Sequence, residues 1–149
     1  MSPDFPEVSG EVQPRSDSRL SDVAILTLND EEDLGRVVDR HGIVVIDFWA
    51  PWCAPCRGFF PILEKATESH PEIAFCRVNT EERKELAQAF DVKSIPTLVV
   101  IRERIMIALQ PGMLPADVLE DLIEKAQGLD MDELRREMED PENKEGTES

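Results

Sequence analysis

Residues 43–49 read IVVIDFW, an almost unbroken apolar run rich in β-branched side chains. A run of this kind fits a strand covered on both faces, and strands buried that way are usually parallel, with helices laid over them. The rest of the chain therefore has to supply helices for two faces of a sheet. One residue departs from the pattern. Asp47 puts a carboxylate in mid-strand, where a buried charge is disfavoured unless it has a partner or a task. The run then leads into two cysteines, Cys53 and Cys56, with Trp49 and Trp52 close by.

The flanking segments alternate as required. Val23–Leu28 (VAILTL) reads as a first strand. Asn29 or Asp30 can cap a helix running to about His41, whose early acids suit its positive end and which Gly42 stops. After the apolar strand a helix starts at the cysteines and holds Pro61, which is expected to kink it. Ile73–Val78 reads as a third strand and Glu81–Phe90 as a third helix. Thr97–Ile101 and Ile105–Leu109 are close enough to form a hairpin, although the RER between them offers neither Gly nor Asn. Pro115–Gln127 is an amphipathic helix with Val118, Leu119, Leu122 and Ile123 on one face. The order β-α-β-α-β-α-β-β-α predicts an α/β fold, a mixed sheet of about five strands flanked on both faces by about four helices.

A chain of 149 residues allows one compact domain plus tails. Residues 1–21, with three prolines, five serines and little apolar material, read as a disordered arm. The domain is expected over residues 22–128. Residues 129–149 read as an acidic tail that is dispensable for folding. From Asp130 it carries nine acids against three bases. Within it, Asp130–Glu139 can form one or two helical turns, with Met131, Leu134 and Met138 on one side. The formal charge of −16 argues against a general binder of nucleic acid or anionic membrane, since both need clustered Lys and Arg. No apolar run approaches the roughly 20 residues that span a bilayer. The N-terminus lacks a basic start followed by an apolar stretch, so a cytoplasmic setting is expected. There, a close cysteine pair suggests redox or metal chemistry. Zinc would need four ligands, and the remaining candidates, Cys76, His41 and His70, come singly, so no metal is expected. Cys76 reads as core filler, and the two histidines as exposed loop neighbours.

WCAPC after a buried strand, Asp47 six residues before the first cysteine, Pro61 eight after it and SIPTL at 94–98 together resemble the thioredoxin family. The resemblance spans roughly residues 22–127. It implies a thiol–disulfide oxidoreductase that reduces protein disulfides. Cys53, at a helix N-terminus whose dipole favours a thiolate of pKa about 7, is then the nucleophile. Cys56, three residues on and on the same face, resolves the mixed disulfide. Asp47 is implied to take the proton from Cys56, with Arg77 standing where the family commonly has lysine. Trp52 covers the site and Trp49 packs beneath it. Ala54 and Pro55 form the intervening dipeptide, Ala54 in place of the usual glycine. Pro96 is expected in cis, so that Ile95 presents its backbone to an extended substrate, and Gly112 is expected to keep the groove open. No cofactor is expected beyond a redox-active Cys53–Cys56 disulfide. The implied partners are disulfide-containing proteins and an NADPH-dependent thioredoxin reductase, with the chain acting as a monomer. Two alternatives remain. One is an adaptor or co-chaperone using the groove and tails, favoured by the tails themselves and by Arg104 in place of a hairpin glycine. The other is an oxidase or isomerase with a less reducing potential.

Overall fold

The computed structural model describes residues 25–139. The expectations for the arm, for Val23 and Ala24, and for residues 140–149 lie outside the described residues.

The elements run β1 (Ile25–Thr27), α1 (Glu31–Arg40), β2 (Ile43–Trp49), α2 (Ala54–Ser69), β3 (Ala74–Asn79), α3 (Lys84–Ala89), β4 (Thr97–Arg102), β5 (Ile105–Pro111), α4 (Ala116–Gln127) and α5 (Met131–Glu139). The sheet order is β1-β3-β2-β4-β5. β1 and β2 pair parallel with β3, while β4 runs antiparallel to β2 and β5 antiparallel to β4. This is the expected mixed five-stranded sheet, with β2 at its centre.

Strand periodicity of two sorts the side chains. Val45, Phe75, Leu98 and Val100 face α2 and α4, meeting Phe59, Leu63, Leu119 and Ile123 in one core cluster. Val44, Ile46, Phe48, Cys76 and Val99 face the other way, where Leu34, Val37 and Val38 of α1 and Leu86 of α3 cover them. β2 is buried on both sides, as its composition required. By the same alternation Asp47 lies on the face of Val45, the side covered by α2.

Several local features refine or depart from the sequence reading. The α1 cap is Asp30, whose carboxylate accepts the Asp33 N–H at 2.8 Å. The third helix is short. The Asn79 side chain accepts the N–H groups of Glu81 at 2.9 Å and Glu82 at 3.4 Å, so residues 80–82 form turns and the helix is delayed to Lys84. On α4, Val118 is 44% exposed and Ala126 is buried instead. Pro61 is carried within α2. The β4–β5 turn needs only two residues, Glu103 and Arg104, both left-handed at φ 51° and 73°. Two such residues match the twist of a hairpin, and neither is glycine. Their conformation is held from outside. The Glu103 N–H donates to the Gly42 carbonyl at 2.8 Å, Glu103 pairs with Arg135 at 2.8 Å, and Arg104 pairs with Asp39.

The packed structure continues past residue 128. Asp130 caps α5, accepting the Glu133 N–H at 3.1 Å. Met131 is buried, Leu134 half-buried and Met138 exposed. Arg102, at the end of β4, donates to the carbonyls of Ala126 at 2.7 Å and of Gln127 and Leu129 at 3.0 Å. A cation on the C-terminal carbonyls of α4 is favoured by the helix dipole.

Candidate active site

Two cysteines three apart at a helix start must lie within one turn, and the fold holds them there. Cys53 is the N-cap of α2, and its Sγ accepts the Cys56 N–H at 3.2 Å. Pro55 occupies the first turn, where the missing N–H leaves no helical bond unmade. Cys53 and Cys56 are joined in a disulfide with Cα atoms 5.2 Å apart. Cys56 is fully covered and Cys53 only 4% exposed. Cys53 is thus nearly as covered as its partner, because Ala50 clusters with the pair and Trp49 and Ile95 pack against it.

Asp47 lies under α2 with no exposure. Burial is the dominant influence and raises its pKa from 3.8 to about 6, while the Arg77 charge and hydrogen bond pull the other way. Arg77 faces it from β3, with Nε 3.3 Å from Oδ2. Among the described residues Oδ1 has no hydrogen-bond partner. The guanidinium is itself sandwiched, 4.1 Å from the ring centroids of both Trp49 and Phe60. Arginine suits that position better than lysine, since a planar cation stacks on aromatic faces.

The opposite wall comes from the segment before β4 and the end of β5. The Ile95–Pro96 bond is cis, as expected. The Gly112 N–H donates to the Pro96 carbonyl at 2.7 Å, tying the two segments together. Gly112 has φ 91°, which by itself calls for glycine. A Cβ there would meet nothing within 4 Å, so the space in front of it is open. The neighbouring Met113 lies against Gly58 of α2, its Sδ 3.7 Å from where a Cβ would stand.

Trp52 is 67% exposed and Ala54 and Pro55 are also exposed. The sequence reading missed one residue beside them. The Trp52 indole N–H donates to Glu81 Oε2 at 3.1 Å. By sequence Glu81 reads as helical, and only the Asn79 side chain, which competes with that helix, signals the turn that presents it.

The remaining candidates lie elsewhere. Cys76 is buried in the α1–α3 core, with its thiol pushed up to about 12 by burial. His70, expected to be exposed, is half-buried, with Nε2 2.7 Å from Glu120. His41 is also half-buried and lies 3.1 Å from the Val37 carbonyl. Among the described residues no three His, Cys, Asp or Glu side chains gather as metal ligands.

A closely spaced cysteine pair capping a helix on this sheet defines a thiol–disulfide oxidoreductase. The thioredoxin family model matches residues 24–125. A putative thioredoxin 2 of Streptomyces coelicolor is 48% identical over 106 residues, covering 71% of this chain and 79% of that protein. The thioredoxin of Bacillus subtilis is 35% identical over 86 residues, 57% of this chain and 83% of its own. A mutant thioredoxin from Halobacterium salinarum superposes with a TM-score of 0.67 at 30% identity, covering 70% of this chain and 92% of that one. The chain belongs to the thioredoxin family.

Proposed function

We propose that the protein reduces disulfides in protein substrates through a reduced Cys53–Cys56 dithiol. The observation that supports this best is the place of the pair at the start of α2, where Cys53 caps the helix and its Sγ accepts the Cys56 N–H. In the reduced protein the helix N-terminus favours a Cys53 thiolate. That thiolate attacks one sulfur of the substrate disulfide, forms a mixed disulfide and releases the other sulfur as a thiol. Cys56, losing its proton towards Asp47, then attacks Cys53 Sγ. The internal disulfide forms, and the second substrate thiol leaves with the electron pair. Trp52, Ile95, the cis Pro96 and Gly112 offer an extended substrate the open side of the site.

The Ala54–Pro55 dipeptide has no histidine to favour the thiolate further, so the pair is expected to be reducing, nearer about −270 mV than about −180 mV. Recycling then calls for an external electron donor, for which an NADPH-dependent thioredoxin reductase is the reading. A reducing, cytoplasmic compartment and a monomer fit this chemistry. No bound cofactor is needed beyond the cysteine pair.

Insulin reduction by the reduced protein tests the proposal. Cys53→Ser should abolish it, and Cys56→Ser should accumulate mixed disulfides with substrate. Alkylation of Cys56 ahead of Cys53 at neutral pH would reverse the assignment.

A further inference from the structure

The turn after β3 is fastened to the end of β2. The Thr80 N–H and hydroxyl both donate to the Trp49 carbonyl, at 2.8 and 3.1 Å. The Asn79 side chain holds the next two N–H groups. The result is a carboxylate, Glu81, fixed beside a largely exposed indole at the rim of the cysteine pair. Among the described residues Glu81 has no ion-pair partner. Arg57, on the first turn of α2, is turned onto the Pro51 carbonyl at 2.5 Å instead.

An exposed aromatic face next to an unneutralised carboxylate has the chemistry to bind a guanidinium. The molecule already contains such an arrangement elsewhere, where Arg77 stacks on Trp49 and pairs with Asp47. The pair of Trp52 and Glu81 has the ring and the acid, with no cation on it among the described residues.

We propose that Trp52 and Glu81 form a subsite for a basic residue, arginine above all, flanking the cysteine of a substrate disulfide, which makes Glu81 a specificity-determining residue. The inference rests on the oxidoreductase reading for its meaning, though not for its test. The arginine would stack on the indole and pair with the Glu81 carboxylate, leaving the indole N–H bond in place. The overall charge of −16 would speed the approach of such substrates, but only Glu81 would give the preference a position.

The test uses the full-length oxidised protein and a short peptide in which serine replaces the reactive cysteine, with arginine or neutral citrulline beside it. Binding is followed through the Trp52 indole N–H resonance, assigned with Trp52→Phe. The arginine peptide should bind about tenfold more tightly, as expected for one exposed ion pair plus one cation–π contact. Glu81→Gln keeps an acceptor for the indole but removes the charge, and it should bring the two peptides to equal affinity. Glu81→Lys should reverse the order in favour of a glutamate peptide. Equal affinities in the unmodified protein would overturn the proposal. So would a preference that survives in Glu81→Gln, which would assign it to the overall charge. In parallel, kcat/KM for the corresponding disulfide peptides should show the same ratio, carried by KM. If neither peptide is reduced, the oxidoreductase reading fails, while the binding measurements still decide the subsite.

Discussion

Asp47 is the residue whose environment has the largest consequences. Burial lifts its pKa from 3.8 to about 6 against the opposing pull of Arg77. Between those values the native state keeps a proton that the unfolded chain has released. The stabilisation is therefore complete below about 4 and lost as pH rises through about 6, a change of about 3 kcal/mol. Asp47→Asn should remove that slope and make the oxidised protein more stable at pH 7. Denaturant unfolding of both forms at pH 4 and 7 checks this. If Asp47 takes the Cys56 proton as proposed, the same variant should also lose the inflection near pH 6 in insulin reduction. Cys76 gives a second residue-level prediction. With its thiol pushed up to about 12 by burial, it should resist iodoacetamide in the reduced native protein at pH 8 and react only once denatured, as mass spectrometry would show. Both residues stand out in the sequence, the acid for lying in an apolar strand and the cysteine for lying between Phe75 and Arg77. Glu81 does not stand out, because its position depends on a side chain two residues earlier closing a turn.

At the scale of elements, periodicity carried most of the information. The buried run 43–49 and the alternation around it lead to the sheet, and the cysteine spacing leads to the start of α2. The sequence says least where tertiary contacts hold a conformation that local preference would reject. Glu103 and Arg104 adopt left-handed angles without glycine because Gly42, Asp39 and Arg135 hold them. α5, which the sequence offers only as one or two helical turns of a dispensable acidic tail, takes its place in the packing through Met131 and the Arg135–Glu103 ion pair. Ending the chain at Gly128 should therefore destabilise the protein by about 1.5–3 kcal/mol, the order of burying the Met131 side chain. Thermal melting should show the loss. Insulin reduction at 25 °C should be unchanged, because α5 joins the fold at the hairpin turn beside Gly42, the end of β2 remote from the cysteines.

Across the whole molecule, 32 acids against 16 bases leave a charge of −16, and self-repulsion on that scale works against the compact state. Raising the salt from about 0.01 M to about 1 M shortens the screening length from about 30 to about 3 Å. The melting temperature should rise by roughly 2–5 °C, the shift expected for about 1 kcal/mol in a domain of this size. A fall in melting temperature would mean that ion pairs such as Arg135–Glu103 outweigh the repulsion. The fold also has two distinct ends. β2 spans seven residues, roughly 20 Å, with the disulfide beyond one end and the hairpin turn and α5 at the other. The buried Met131 and the Arg135–Glu103 ion pair keep α5 at that second end. A tether attached beyond Glu139 would therefore anchor the protein by the end away from its disulfide. Grafted to an electrode or a bead in this orientation, it would present its cysteines outward, towards the solution.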